Sequence, residues 1–142
     1  MLNTFRYFAI DVGDKRIGLA VSDALGITAQ GLETFSRTGD IEKDVAYIIK
    51  LADGYKPVRL LFGMPRNMDG TYGFQAERVK DFAGAVLENW QGEHAFYDER
   101  LTTAAAERVL LDADVSRKKR RQVIDKMAAV VILQGYMETR HR

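Results

Sequence analysis

Phe8–Asp23, FAIDVGDKRIGLAVSD, is the stretch that decides the fold. Its first five residues complete a run, Phe5–Val12, that is largely apolar at consecutive positions and so hydrophobic on both faces of a strand. That pattern belongs to a central strand covered from above and below. Gly13-Asp14-Lys15-Arg16 follows as a turn, and Ile17–Ser22 resumes a strand-like run. Gly13 suits a tight reversal and Gly18 permits a close backbone approach. Together the two runs read as a β-hairpin.

Working outward, Ile27–Phe35 reads as a third, weaker strand. Asp40 is placed to cap a helix on which Ile41, Val45, Ile48 and Ile49 share one face, with Gly54 at its end. Val58–Met64 is a short buried strand. Val79, Phe82, Ala83, Val86 and Leu87 mark a second amphipathic helix, and His94–Tyr97 a fifth strand. Ala104–Leu111 reads as helical, and a last helix is expected from about Val123. The order β-β-β-α-β-α-β-α-α implies a three-stranded antiparallel meander followed by parallel strands reached through right-handed crossovers. No linker or internal repeat interrupts it. The expectation is one α/β domain over residues 1–142, a mixed five-stranded sheet flanked by helices.

A chain of 142 residues with 46% hydrophobic content can bury one substantial core. Cysteine is absent, which excludes disulfides, thiolate metal sites and cysteine nucleophiles. The start, MLNTFRYFAID, lacks a basic segment leading into a long apolar one, and no apolar run approaches membrane-spanning length. A soluble cytoplasmic protein without membrane contact is expected. The net charge of +1 hides an uneven distribution, because Arg117, Lys118, Lys119, Arg120 and Arg121 are consecutive cations. Such a block can face a phosphate backbone or form a solvated turn ahead of a helix.

Three acids sit beside apolar runs far apart in the chain: Asp11, Glu99 and Asp125. In an open parallel sheet, functional groups collect beyond the carboxyl ends of the strands. Asp11 lies at the exit of the first strand, and Asp98 and Glu99 at the exit of the fifth. Asp125 shares a helical face with Ala129, Ile132 and Tyr136, and small Ala128 and Ala129 allow that helix to lie close to the sheet. For it to reach the same edge, residues Thr102–Leu111 are expected to project away and the basic segment to return the chain as a loop. Carboxylates gathered at one edge repel each other unless a cation sits between them, and oxygen donors favour Mg²⁺ or Mn²⁺. The bland alternatives are a strand-end acid bonded to the turn for Asp11, an ion pair with Arg100 for Glu99, and a helix-terminus charge for Asp125.

The segments DVGDKRIGLAVSD, GMPRNMDGT, DERLTT and RKKRRQVIDKMAAVVIL resemble the bacterial YqgF (RuvX) family of nucleases. The resemblance spans nearly the whole chain, with four motifs in the family's order. It implies an RNase H-like fold related to Holliday junction resolvases and a role in maturing the 5′ end of the small-subunit ribosomal RNA precursor. It also implies catalytic, metal-holding roles for Asp11, Glu99 and Asp125. Many RNase H-like nucleases place an acid on the fourth strand, whereas VRLLFGMP carries none. Two-metal hydrolysis, with ions about 3.5–4 Å apart, serves the attacking and leaving oxygens together. In that scheme Asp11 bridges the ions while Glu99 and Asp125 hold one each.

Around these acids, Arg66, Asn67 and Thr71 follow the fourth strand and can contact phosphate, although Asp69-Gly70 alone reads as a plain turn. Lys15, Arg16, Arg100 and Lys126 are further candidates, with Lys118, Lys119 and Arg120 from the basic block. Trp90, Tyr97 and Tyr136 read as core. His94 falls in a strand and His141 in the tail, and neither is assigned chemistry. The expected partners are structured RNA or branched DNA, with pre-ribosomal particles, for a monomer or homodimer. Two other classes compete. DVGDKRIG also resembles the phosphate-binding hairpin of actin-like ATPases, but those need a second such domain. A non-catalytic RNA-binding module is the remaining alternative.

Overall fold

A computed structural model describes residues 4–65, 73–98 and 117–140, with side chains in the last stretch from 127 onward. Strands β1 (Arg6–Val12), β2 (Arg16–Ser22) and β3 (Ala29–Ser36) are followed by α1 (Ile41–Asp53), β4 (Val58–Met64), α2 (Phe74–Leu87), β5 (His94–Asp98) and α3 (Arg117–Arg140). The sheet order is β3-β2-β1-β4-β5, with β1–β2 and β2–β3 antiparallel and β1–β4 and β4–β5 parallel. The largely apolar character of β1 is thereby explained, because it lies in the middle of the sheet with helices on both sides. Among the described residues, no helix is long and apolar enough to cross a membrane.

Strand alternation divides the core into two layers. Phe8, Ile10 and Val12 of β1 join Ile17, Leu19 and Val21 of β2 and Leu60, Phe62 and Met64 of β4 beneath α1 and α2. Tyr7, Ala9, Ala20 and Leu61 point the other way, against Ala129, Ile132, Leu133 and Met137 of α3. The first layer is filled by bulky side chains, whereas the second is floored by alanines, so α3 rides close to the sheet. The approach is close at Gly135, where an added Cβ would lie 2.5 Å from the Tyr97 hydroxyl.

Asp40 caps α1 as the sequence predicts, its carboxylate accepting from the amides of Glu42 (3.0 Å) and Lys43 (3.4 Å). The last helix departs from expectation. Its described part already includes Arg117, ahead of the expected start near Val123, so the basic segment is helical and not a returning loop. Five cations oppose the helix dipole, which argues for a later start. Yet Lys and Arg are good helix formers in their own right, and propagation from the buried body of α3 adds a hydrogen bond per residue. Ala104–Leu111 and the proposed excursion of Thr102–Leu111 lie outside the described residues.

Candidate active site

Asp11 stands on the penultimate residue of β1, half-buried, at the carboxyl edge of the central strand. Its parity is that of Tyr7 and Ala9, so it belongs to the α3 side of the sheet. Directly across on β2 its rung partner is Gly18. On β4 the last paired rung is Ile10 with Phe62, and the next residue is Gly63. Glycines therefore stand beside Asp11 on both flanking strands.

Two strands away, β5 ends at Asp98, which pairs with Met64 of β4. Because β1, β4 and β5 run parallel, the chain leaves β5 from the same edge at which Asp11 sits. Glu99 itself lies outside the described residues, as do Arg66, Asn67, Thr71 and Arg100.

Position 125 is located by the path of the α3 backbone. The Tyr136 ring meets Tyr7, near the start of β1, with centroids 5.2 Å apart. Tyr97 closes on the same ring at 6.2 Å. Ala129 and Ile132 are fully buried, within the cluster that contains Ala9 and Ala20. The helix packs across β2 and β3 as well as β1, and backbone position 125 lies one turn before Ala129. The side chains of Asp125, Lys118, Lys119, Arg120 and Lys126 are outside the described set. Among the described residues no three His, Asp or Glu side chains form a metal-holding group.

Lys15 and Arg16 are exposed at the hairpin turn, on the same edge as Asp11. The turn is held by the Gly13 amide donating to the Arg16 carbonyl (2.9 Å) and by the Arg37 amide donating to that of Lys15 (2.9 Å). Gly13 has no room for a side chain, since a Cβ there would meet the Arg16 carbonyl oxygen at 2.5 Å.

Sequence reasoning missed Arg37 and the acid that holds it. Arg37 donates from Nη1 to the Gly13 carbonyl (3.1 Å), and its guanidinium lies 5.1 Å over the Phe82 ring. Its Nε is 3.7 Å from Oδ2 of Asp44, a carboxylate only 1% exposed. Asp44 Oδ1 accepts from the Thr38 amide (3.0 Å) and hydroxyl (2.9 Å). The turn following Asp11 is therefore strapped to β3, α1 and α2 through one arginine. Asp44 reads from sequence as an ordinary acid in the first turn of a helix; only burial reveals its task.

Trp90 is buried, and Tyr97 and Tyr136 pack against the α3-side cluster, as expected for core aromatics. His94 is exposed on β5, edge-on to Phe96.

A family model described as RuvX, Holliday junction resolvase, matches residues 5–139. The chain belongs to the RuvX family. It is 52% identical over 134 residues to the "Putative pre-16S rRNA nuclease" of Halalkalibacterium halodurans, spanning 94% of this chain and 96% of that one. A protein of the same description from Symbiobacterium thermophilum is 52% identical over 142 aligned residues, covering 95% and 93% of the two chains. Among solved structures, RuvC of T. thermophilus in complex with a Holliday junction substrate superposes with a TM-score of 0.56 at 15% identity, over 96% of both chains. That likeness is one of fold, and it confirms the RNase H-like architecture expected of a RuvX protein.

Proposed function

We propose that this RuvX protein is a metal-dependent nuclease that hydrolyses phosphodiester bonds during 5′-end maturation of pre-16S rRNA, in the cytoplasm where ribosomes are assembled. The observation that carries the reading is a family match over almost the entire chain, joined to a carboxylate at the edge of the central strand with glycines beside it. The relatives described as pre-16S rRNA nucleases favour the ribosomal substrate.

Asp11, Glu99 and Asp125 are the residues that would hold Mg²⁺ or Mn²⁺. Their oxygen-only donor set suits a hard divalent cation. When bound, such a cation supplies charge neutralisation at phosphate oxygens and an activated water. The protein's own contribution is placement. Asp11 is fixed by hydrogen-bonded strands on either side, and position 125 by a helix buried against Ala9 and Ala20. Lys15 and Arg16 orient the strand through its phosphates, with Arg66, Asn67, Thr71, Arg100, Lys118, Lys119, Arg120 and Lys126 as further contacts.

The test is Asp11→Asn. Cleavage of a precursor rRNA fragment in Mg²⁺ or Mn²⁺ is expected to fall by roughly 10²-fold or more, with the thermal midpoint unchanged. Full cleavage by the variant would refute the role. A second reading, resolution of branched DNA, is favoured by the description of the family model. It predicts a stable symmetric dimer making paired cuts in a four-way junction, whereas rRNA maturation predicts accumulation of 5′-extended precursor in cells depleted of the protein.

A further inference from the structure

Across the carboxyl edge from Asp11, on the α1 and α2 side, lies an open cavity of about 810 Å³. Its wall is assembled from three separate parts of the chain: Lys15 and Arg16 of the hairpin turn, Arg37 at the end of β3, and Arg78 of α2. Asp14 is the lone carboxylate on the lining among the described residues. It sits 3.7 Å from Arg78, is itself 69% exposed, and so neutralises that charge weakly. Four cations line one concavity, Arg37 backed by the buried Asp44 and Arg78 by the exposed Asp14, and such a concentration of positive charge attracts a further anion.

The cavity is also built rather than incidental. Arg37 is anchored from behind by a buried carboxylate, by the Gly13 carbonyl and by the Phe82 ring. Burying Asp44 costs desolvation that its two Thr38 hydrogen bonds and the long contact to Arg37 offset only in part. That cost fixes a guanidinium at the cavity wall and fixes the turn that carries Lys15 and Arg16. The location matters as much as the charge. Asp14 follows Asp11 by three residues, so the turn is at most about 11 Å away along the chain. The acid and the cavity occupy opposite sides of one edge.

We propose that this cavity is a second phosphate site for the substrate strand, receiving a backbone phosphodiester that flanks the scissile one as the nucleic acid passes over the edge of the sheet. The site rests on the nuclease reading above and deepens it. Arg37 and Arg78 thereby join Lys15 and Arg16 as substrate-binding residues. A flanking contact persists from ground state to transition state, so it sets affinity and leaves the chemical step alone.

The experiment uses the full chain carrying Asp11→Asn, which binds without cutting, and an end-labelled fragment spanning the pre-16S rRNA 5′ end. Fluorescence anisotropy is followed from about 50 to 200 mM KCl. Lys15→Gln and Arg78→Gln, both accessible and clear of the buried Asp44, are each expected to lower the slope of log K against log salt by about 1, and together by about 2. Lys50→Gln, at the far end of α1, serves as the control and is expected to leave the slope unchanged. In the cleaving protein the pair is expected to raise KM several-fold with kcat nearly constant. An unchanged slope in the double variant, with the parent still binding, overturns the second site and spares the nuclease reading. No binding of nucleic acid by the Asp11→Asn protein overturns both. Inorganic phosphate that binds the cavity as tightly as the RNA fragment, by calorimetry, overturns the assignment to a strand.

Discussion

Replacing Arg37 with Met tests the strap behind the hairpin. Methionine retains the aliphatic stem but loses the guanidinium over Phe82, and removes the charge and every donor. What remains is a carboxylate at Asp44 that is 1% exposed, with Oδ1 still bonded to Thr38 and Oδ2 lacking any hydrogen-bond partner. Breaking a fully buried ion pair costs about 3–5 kcal/mol. Here the Nε–Oδ2 separation is 3.7 Å and Arg37 is 18% exposed, which weakens the pair. The lost bond to the Gly13 carbonyl adds about 1 kcal/mol. The net expectation is a loss of about 2–3 kcal/mol. For 142 residues the unfolding entropy near the midpoint is about 0.3 kcal/mol/K, so the midpoint should fall by about 7–10 °C. Adding Asp44→Asn removes the stranded charge and should restore more than half of that loss. Amide exchange at Gly13 and Arg37, whose N–H groups close the turn, should accelerate in the single variant. A midpoint within 2 °C of the parent (about 0.5 kcal/mol), or a double variant no better than the single, would refute the account of Asp44 as a buried anchor.

Two further perturbations address other parts of the fold. Gly135→Ala gains about 1 kcal/mol of helix propensity but drives a methyl into the Tyr97 hydroxyl, an overpacking that costs about 1–3 kcal/mol. A net destabilisation of about 1 kcal/mol is expected by urea titration, largely reversed when Tyr97→Phe removes the nearest atom; no reversal would show that α3 does not press on β5 there. Asp23 accepts from the amides of Ile27 (2.7 Å) and Thr28 (3.3 Å), and the bond from Ile27 foremost holds its carboxyl below the usual 3.8. A depressed folded-state value stabilises at pH above 3.8 and is lost as pH falls through the lowered value. Asp23→Asn should therefore be less stable than the parent at neutral pH and converge with it under acid, and curves that stay parallel below pH 3 would contradict this.

How much was legible beforehand follows from where the information sits along the chain. The hairpin, the central position of β1 and the Asp40 cap are local patterns, written in consecutive residues or in a fixed offset. The strand-end position of Asp11 was legible for the same reason, as an acid closing an apolar run before a glycine turn. The start of α3 was misjudged because dipole and propensity pull in opposite directions across Arg117–Arg121, and the buried body of the helix decides between them. Arg37 and Asp44 were invisible because their pairing depends on the chain passing from β3 into α1 beneath the hairpin. The clue available was faint: Ser36 at the end of β3 stands opposite Arg16, which places the next residue beside the turn. Arg78 joins the cavity only through the fold of α2 against the sheet.

β1 and α3, the described elements on which Asp11 and position 125 stand, differ in mechanical character. β1 is bonded to a neighbour on each side, so displacing Asp11 along its axis means breaking ladders to β2 and β4 together. α3 meets the sheet through side chains, Ala129, Ile132, Leu133 and Met137 among them, and no backbone ladder fixes its register. A small axial slide of that helix relocates position 125 relative to Asp11 without severing a single backbone bond. On the proposed metal-holding role of these two positions, adjustment to ions of different radius would fall to the helix, with the strand as the reference point.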